Sequence, residues 1–265
     1  MIEIIKCRFG NSIVGVTGYK GYIGTSFLNS KNIGSEQFEK PDILIHLAAH
    51  TSNEIEIFKD NLSVDVEIIN FCKKNNIKLI YASTNNVYPL GVNLKETDPV
   101  FSKDFYGLSK IAGECLIQNQ TNEIEYIILR IGDVFGKNQR YGNFFKMVAS
   151  CIENGNPITL YGTGSKVRSY IYIQDLVRVL DFFINNFSPL SNNIYNVCYS
   201  EALSIYNIIM RVADYAKLKI EPKEYPEQFD SRTMDNQKLI DTKFPFLFNI
   251  DQALVHYMEE IKKHD

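Results

Sequence analysis

Residues Ser12 to Gly24 read SIVGVTGYKGYIG, and Thr25 to Ser30 continue as TSFLNS. A short apolar run over Ser12 to Val16 delivers the chain into three glycines, Gly18, Gly21 and Gly24, after which the pattern turns helix-like. Strand, glycine turn and helix in that order predict a backbone that bends tightly and presents amide groups at a helix N-terminus, where a pyrophosphate is held. Glycine turns also simply end strands, and it is the flanking strand and helix that mark this one. Inside the turn, Lys20 is either a cation for a 2′-phosphate or an ordinary exposed lysine.

Downstream the room is short. A second strand ending in a ribose-binding acid normally follows about 20 positions on, yet only Thr25 to Pro41 precede the next apolar run, DILIHL (Asp42 to Leu47). Glu36 and Glu39 fall in range but in a polar segment, and neither is assigned to the ribose. The N-terminal IEIIK (Ile2 to Lys6) is expected to fill part of the vacated sheet edge. DILIHL opens into the small residues Ala48 and Ala49, where a cofactor would lie against the backbone or where the chain simply packs closely. Asn61 to Lys74 has the apolar spacing of an amphipathic helix. Ile77 to Ala82 reads as another buried strand, which places Thr84, just beyond it, in the crevice where open α/β sheets bind ligands.

Tyr106 to Lys110 read YGLSK. A tyrosine four residues ahead of a lysine shares a helix face with it. A neighbouring ammonium favours phenolate and is expected to lower the tyrosine pKa from about 10 towards the range of general acid–base catalysis. The same spacing recurs at Tyr215 and Lys219, read as a solvated helix end, so the pair has meaning only through its company. Asp175 is expected to cap or orient a helix start.

Length and charge narrow the classes. At 265 residues the chain suits one α/β unit with a smaller lobe, and a net charge of -3 offers no basic field for nucleic acid. The five cysteines show no close metal-ligand spacing, and no metal is expected. No signal peptide or membrane span is visible, so a cytoplasmic protein is expected.

Taken together, GYKGYIG, DILIHLAA, YASTNNVYP, YGLSK, ILRIGDVFG (Ile127 to Gly136) and GTGSKVRSYIYIQDL (Gly162 to Leu176) resemble, in order and spacing, the extended short-chain dehydrogenase/reductase family, the NAD-dependent epimerase/dehydratase type that modifies nucleotide sugars, including those used in polysaccharide biosynthesis. The resemblance implies an α/β fold: a Rossmann-like doubly wound parallel sheet, shortened after the first helix, with a dinucleotide-binding domain over 1–135 and 171–200 and a substrate-binding lobe over 136–170 and 201–265. It implies Tyr106 as catalytic acid/base, Lys110 on the nicotinamide ribose, and Thr84 completing the triad. Gly18, Lys20, Gly21, Tyr22, Ile23, Gly24, Leu47, Ala48, Ala49 and Asn61 would meet the cofactor. Thr84, Asn85, Asn86, Asn143, Arg168 and Arg232 would meet a nucleotide-diphosphate sugar, a guanidinium being suited to phosphate oxygens. A homodimer through the helices around 61–74 and 105–119 follows by the same analogy.

Within that family, dehydratases carry an acidic pair directly after the position of Thr84; here Asn85 and Asn86 stand there. The fucose-synthase type adds a Cys and a His; the Cys position is Asn86, and residues 136–145 contain no His. Chemistry at one carbon remains. The leading expectation is an NADPH-dependent reductase of a nucleotide-linked 4-keto-6-deoxy sugar, with NADP(H) favoured over NAD(H). The alternatives are a 4-epimerase with tightly held NAD and an inactive nucleotide-sugar binding protein. A ligand selective for the folded state stabilises it, so saturating NAD or NADP should raise the melting temperature; the absence of any rise with either would favour the inactive protein.

Overall fold

The computed structural model describes residues 3–10, 12–31, 40–139, 143–226 and 230–263. β1 (Ile5–Phe9) turns back through Gly10, at φ +56°, into β2 (Ser12–Thr17). The glycine turn leads to α1 (Tyr22–Asn29), and β3 (Ile43–His46), α2 (Ile55–Asn75) and β4 (Lys78–Thr84) follow. Next come β5 (Gly91–Leu94), α3 (Phe105–Gln118), β6 (Tyr126–Ile131), β7 (Asp133–Phe135), α4 (Asn143–Asn154), β8 (Ile158–Tyr161), β9 (Val167–Arg168), β10 (Tyr170–Tyr172) and α5 (Ile173–Asn185). The chain finishes through α6 (Phe187–Leu190), β11 (Asn193–Val197), β12 (Leu203–Ser204), α7 (Ile205–Ala216), β13 (Ile220–Lys223), β14 (Arg232–Met234), α8 (Gln237–Asp241) and α9 (Ile250–Lys262).

The main sheet has the order β1-β2-β3-β4-β6-β11, and every pairing except β1 with β2 is parallel. Strands β3 and β6 are buried at every residue, as near-continuous apolar strands covered on both faces must be. On one face, Leu44, Leu79 and Ile128 pack against Ile68 and Cys72 of α2 and Ile117 of α3. On the other, Ile45, Ile80 and Ile127 join a larger core that includes α1, α5 and α9. This is the doubly wound sheet the sequence implied.

The shortened edge is closed as expected, though by a different stretch. The strand is Ile5–Phe9 rather than Ile2 to Lys6; Ile2, Glu36 and Glu39 lie outside the described residues. It is also antiparallel, for a topological reason: an antiparallel partner needs only a tight turn, whereas a parallel one needs a crossover of a dozen or more residues.

Other boundaries moved too. Helix α2 begins at Ile55, six positions before Asn61. The polar stretch after Pro89 is not all loop, since β5 joins a second sheet of order β12-β9-β14-β5; its residues GVNL carry little apolar pattern and are held by pairing with distant β14. Asp175 does not cap α5, whose N-cap is Tyr172. Instead its buried carboxylate accepts from the Leu247 and Phe248 amides and the Tyr199 hydroxyl, tying down the approach to α9. Lys219 is not helical, because α7 ends at Ala216 and Lys217 takes φ +58°. Of the cysteines, Cys115 is exposed and the other four are buried, all five as free thiols.

Helix α3 starts where Asp104 accepts from the Gly107 amide at 2.7 Å. Its inward face is formed by Lys110, Gly113, Glu114 and Ile117 at helical spacing. A Cβ at Gly113 would fall 2.3 Å from the Tyr81 hydroxyl and 2.4 Å from Asp65 Oδ2, so only glycine allows this approach. Glu114 is then met by Arg130 of β6, with Nε and Nη2 donating at 3.1 and 2.7 Å, while Nη1 donates to the Tyr88 hydroxyl at 2.8 Å. Both side chains are buried. Removing one partner of such a pair leaves an uncompensated charge. Arg130→Met should therefore destabilise the protein by about 3–5 kcal/mol in urea unfolding.

Candidate active site

Because β2, β3, β4, β6 and β11 run the same way, their carboxyl ends share one edge of the sheet. A cavity of about 630 Å³ lies along that edge. Its walls join the glycine turn to Leu47, Ala49 and Thr51 after β3, to Thr84, Asn85 and Asn86 after β4, and to Asp133, Phe144, Lys166 and Arg168 opposite.

The turn has the form a dinucleotide needs. Gly18 adopts φ +65°, and a Cβ there would sit 2.6 Å from the Ala48 amide nitrogen; one at Gly24 would sit 2.5 Å from the Gly18 carbonyl oxygen. No side chain caps α1, whose N-cap is Gly21, so its first amides face the cavity edge without a side-chain partner. Tyr22 and Ile23 line the same wall. Lys20 donates to Glu3 Oε2 at 2.7 Å.

At the catalytic end, Thr84 closes β4 and is 8% exposed. Its hydroxyl accepts from the Asn86 amide at 3.2 Å and lies near the Tyr106 phenol. Burial pushes the Tyr106 pKa up to about 12; the Thr84 hydroxyl opposes this, and the charges of Asp104 and Asp65 add to it. The expected lowering of Tyr106 by Lys110 does not occur in this structure. Lys110 is drawn into the interior, its ammonium 4.4 Å above the Tyr81 ring, where burial lowers its pKa and the Asp65 and Glu114 charges oppose that.

A buried polar chain runs from here to the glycine turn. Thr17 Oγ1 lies 2.6 Å from His46 Nδ1, His46 Nε2 lies 2.9 Å from Asp65 Oδ1, and the Tyr81 hydroxyl donates to Asp65 Oδ2 at 2.7 Å. Burial would raise the Asp65 carboxyl, but His46, Lys110 and Tyr81 together hold it below its usual range. His46 moves down, because burial and the nearby Lys110 outweigh Asp65. The sequence marked His46 only as part of a buried strand; a histidine inside an apolar run was the available signal.

Asn61 is spent on protein partners: it accepts from the His50 amide and donates to the His50 carbonyl and to Ser109 Oγ, so it fastens the loop after β3 to α3. On the substrate side, Arg168 is buried rather than a surface strand residue, and it donates to Asp230. Its partner across the strands is Arg232, which donates to Asn86 Oδ1 at 2.6 Å and leaves a buried Nε without a protein partner. Burial and the Arg168 charge both lower the Arg232 pKa. Two guanidiniums opposite each other repel, and the Asp230 carboxylate offsets the Arg168 charge. Asn143 opens α4; its side chain is outside the description. Asp133 and Lys166 were missed by sequence. Asp133 accepts from Asn85 at 2.8 Å, and Lys166 pairs with Asp230 at 2.7 Å.

Residues 28–198 match the model of the NAD dependent epimerase/dehydratase family. The chain belongs to that family. The match covers the strands that bear Thr84 and Arg130 and the whole of α3. The chain is 28% identical over 201 residues to the dTDP-D-glucose 4,6-dehydratase of Dictyostelium discoideum, an alignment covering 68% of this chain and 45% of that relative. Among solved structures it resembles the Thermus thermophilus UDP-glucose 4-epimerase in complex with NAD, with a TM-score of 0.77, 21% identity, and 95% and 99% of the two chains covered. It likewise resembles RMD from Pseudomonas aeruginosa complexed with NADPH, with a TM-score of 0.78, 20% identity, and 94% and 98% covered. Neighbours thus bind either nicotinamide cofactor. No helix among the described residues is long and apolar enough to cross a membrane.

The depressed His46 pKa has a measurable sign. Below pH about 6.5 the unfolded chain takes up a proton that folded His46 refuses. Stability should therefore fall as pH drops from there, by up to about 1.4 kcal/mol per unit. Urea unfolding between neutral and mildly acid pH should show this slope, and His46→Gln should flatten it.

Proposed function

We propose that this chain is an NAD(P)-dependent nucleotide-sugar oxidoreductase that reduces a nucleotide-linked 4-keto-6-deoxy sugar at C4. The observation that carries the reading is the shared edge of the sheet, where the glycine turn and Thr84 line one cavity and Tyr106 stands one helical turn before the buried Lys110 on α3; a phenol is protonated at physiological pH and can act as the proton donor. The nicotinamide, when bound, supplies hydride. The residues that would hold it are Gly18, Gly21 and Gly24 for the pyrophosphate and Lys110 for the nicotinamide ribose. Thr84 orients the ketone oxygen, and Tyr106 donates the proton that turns the developing alkoxide into a hydroxyl.

Lys166 and Arg168 on the cavity wall, with Arg232 in register beside Arg168, support a diphosphate-bearing substrate. Asn85 and Asn86 argue against dehydration, since neither amide is a general acid or base. A 4-epimerase is the second reading. It is favoured by the Glu3 carboxylate on Lys20, which occupies the cation that pointed to NADPH.

Tyr106→Phe should lower the rate of ketone reduction by about 10²–10⁴-fold without lowering the melting temperature. Purified protein that carries stoichiometric, non-exchanging NAD and does not turn over added NADH or NADPH would reject the reductase in favour of the epimerase.

A further inference from the structure

Strand β1 runs against the rest of the sheet, so its first residues, not its last, reach the carboxyl edge. Ile5 stands opposite Val16. Just before it, the Ile4 side chain packs on the core beneath α2 and close to Gly15, which anchors the segment. One residue further back, Glu3 meets the glycine turn: its Oε2 accepts from Lys20 Nζ at 2.7 Å and from the Tyr19 hydroxyl at 2.9 Å.

In dinucleotide-binding sheets, the acid that hydrogen-bonds the adenosine ribose 2′-hydroxyl comes from the strand after the first helix. Among the described residues no strand stands between α1 and β3, and β1 occupies the sheet edge beside β2. We propose that Glu3 is the ribose-binding acid of this chain and that, with Lys20, it forms the pair that selects NAD(H) over NADP(H). The inference rests on the reading that the glycine turn binds a dinucleotide, and it reverses the preference drawn from Lys20 alone.

The chemistry favours that direction. An ionised carboxylate has about four acceptor sites, so the bonds from Lys20 and Tyr19 leave capacity for ribose hydroxyls. Hydrogen bonds from those two residues also hold the Glu3 carboxyl below its usual range, keeping it ionised at neutral pH. A 2′-phosphate, with a charge of about -1.5 to -2, would meet this carboxylate as a like charge and compete with it for Lys20.

The test is calorimetric binding of NAD and NADP, and of ADP-ribose and its 2′-phosphate, to wild type, Glu3→Gln, and Glu3→Gln/Lys20→Ala. Wild type should bind the ligands lacking the 2′-phosphate about tenfold or more tightly than those bearing it, the effect of one charge-assisted contact. Glu3→Gln should shrink that ratio about tenfold or more by weakening NAD and strengthening NADP, and adding Lys20→Ala should cancel the NADP gain. Glu3 is exposed, so melting temperatures should stay level across the series. Equal or inverted preference in wild type, a ratio unmoved by Glu3→Gln, or an NADP gain that survives Lys20→Ala would overturn the assignment while leaving the dinucleotide site intact. Failure of wild type to bind either dinucleotide would overturn both.

Discussion

A lysine ammonium inside the protein constrains everything near it. Lys110 is 2% exposed, and an isolated charge in that position would lose its proton or unfold its surroundings. It remains because Asp65 of α2 and Glu114 of α3 supply negative charge and the Tyr81 ring supplies a π face. Each compensating group then needs its own partners. Asp65 takes His46 and Tyr81, His46 takes Thr17, Glu114 takes Arg130 and Ser83, and Arg130 takes Tyr88. The result links four sheet strands, β2, β3, β4 and β6, with both helices of one face.

That network explains why α2 and α3 lie so close. Gly113 permits the approach, and the buried face of α3 carries charges where a purely structural helix would carry leucines. Replacing such networks with apolar residues is often neutral or stabilising, so their presence next to a cavity is better understood through chemistry. The cost of burying the Lys110 cation is met by pairing. Opposite it, Arg168 is met by the Asp230 carboxylate and stands in register with Arg232, whose buried Nε has no protein partner.

Much of this was legible in the residue order. The glycine turn, the buried strand DILIHL, the strand ending at Thr84 and the YGLSK helix are local features, set by spacing and by the short-range demands of turns, caps and alternating burial. The doubly wound sheet follows from their order. Asp175 was visible as a residue of interest, yet its partners differed from those expected, because a side chain's partner depends on what other segments bring to it.

The sequence by itself determined the strand, turn and helix around Gly18, the helical pairing of Tyr106 with Lys110, and the absence of acids after Thr84. Tertiary structure alone decided that β1 runs antiparallel and carries Glu3 to the turn, that Arg168 faces Arg232, that Asp133 enters the cavity, and that Lys110 answers to Asp65 and Glu114 instead of lowering the Tyr106 pKa. The division has a physical cause: local conformation is governed by neighbouring residues, whereas electrostatic partners are set by strand order and register, which bring together residues remote in the chain.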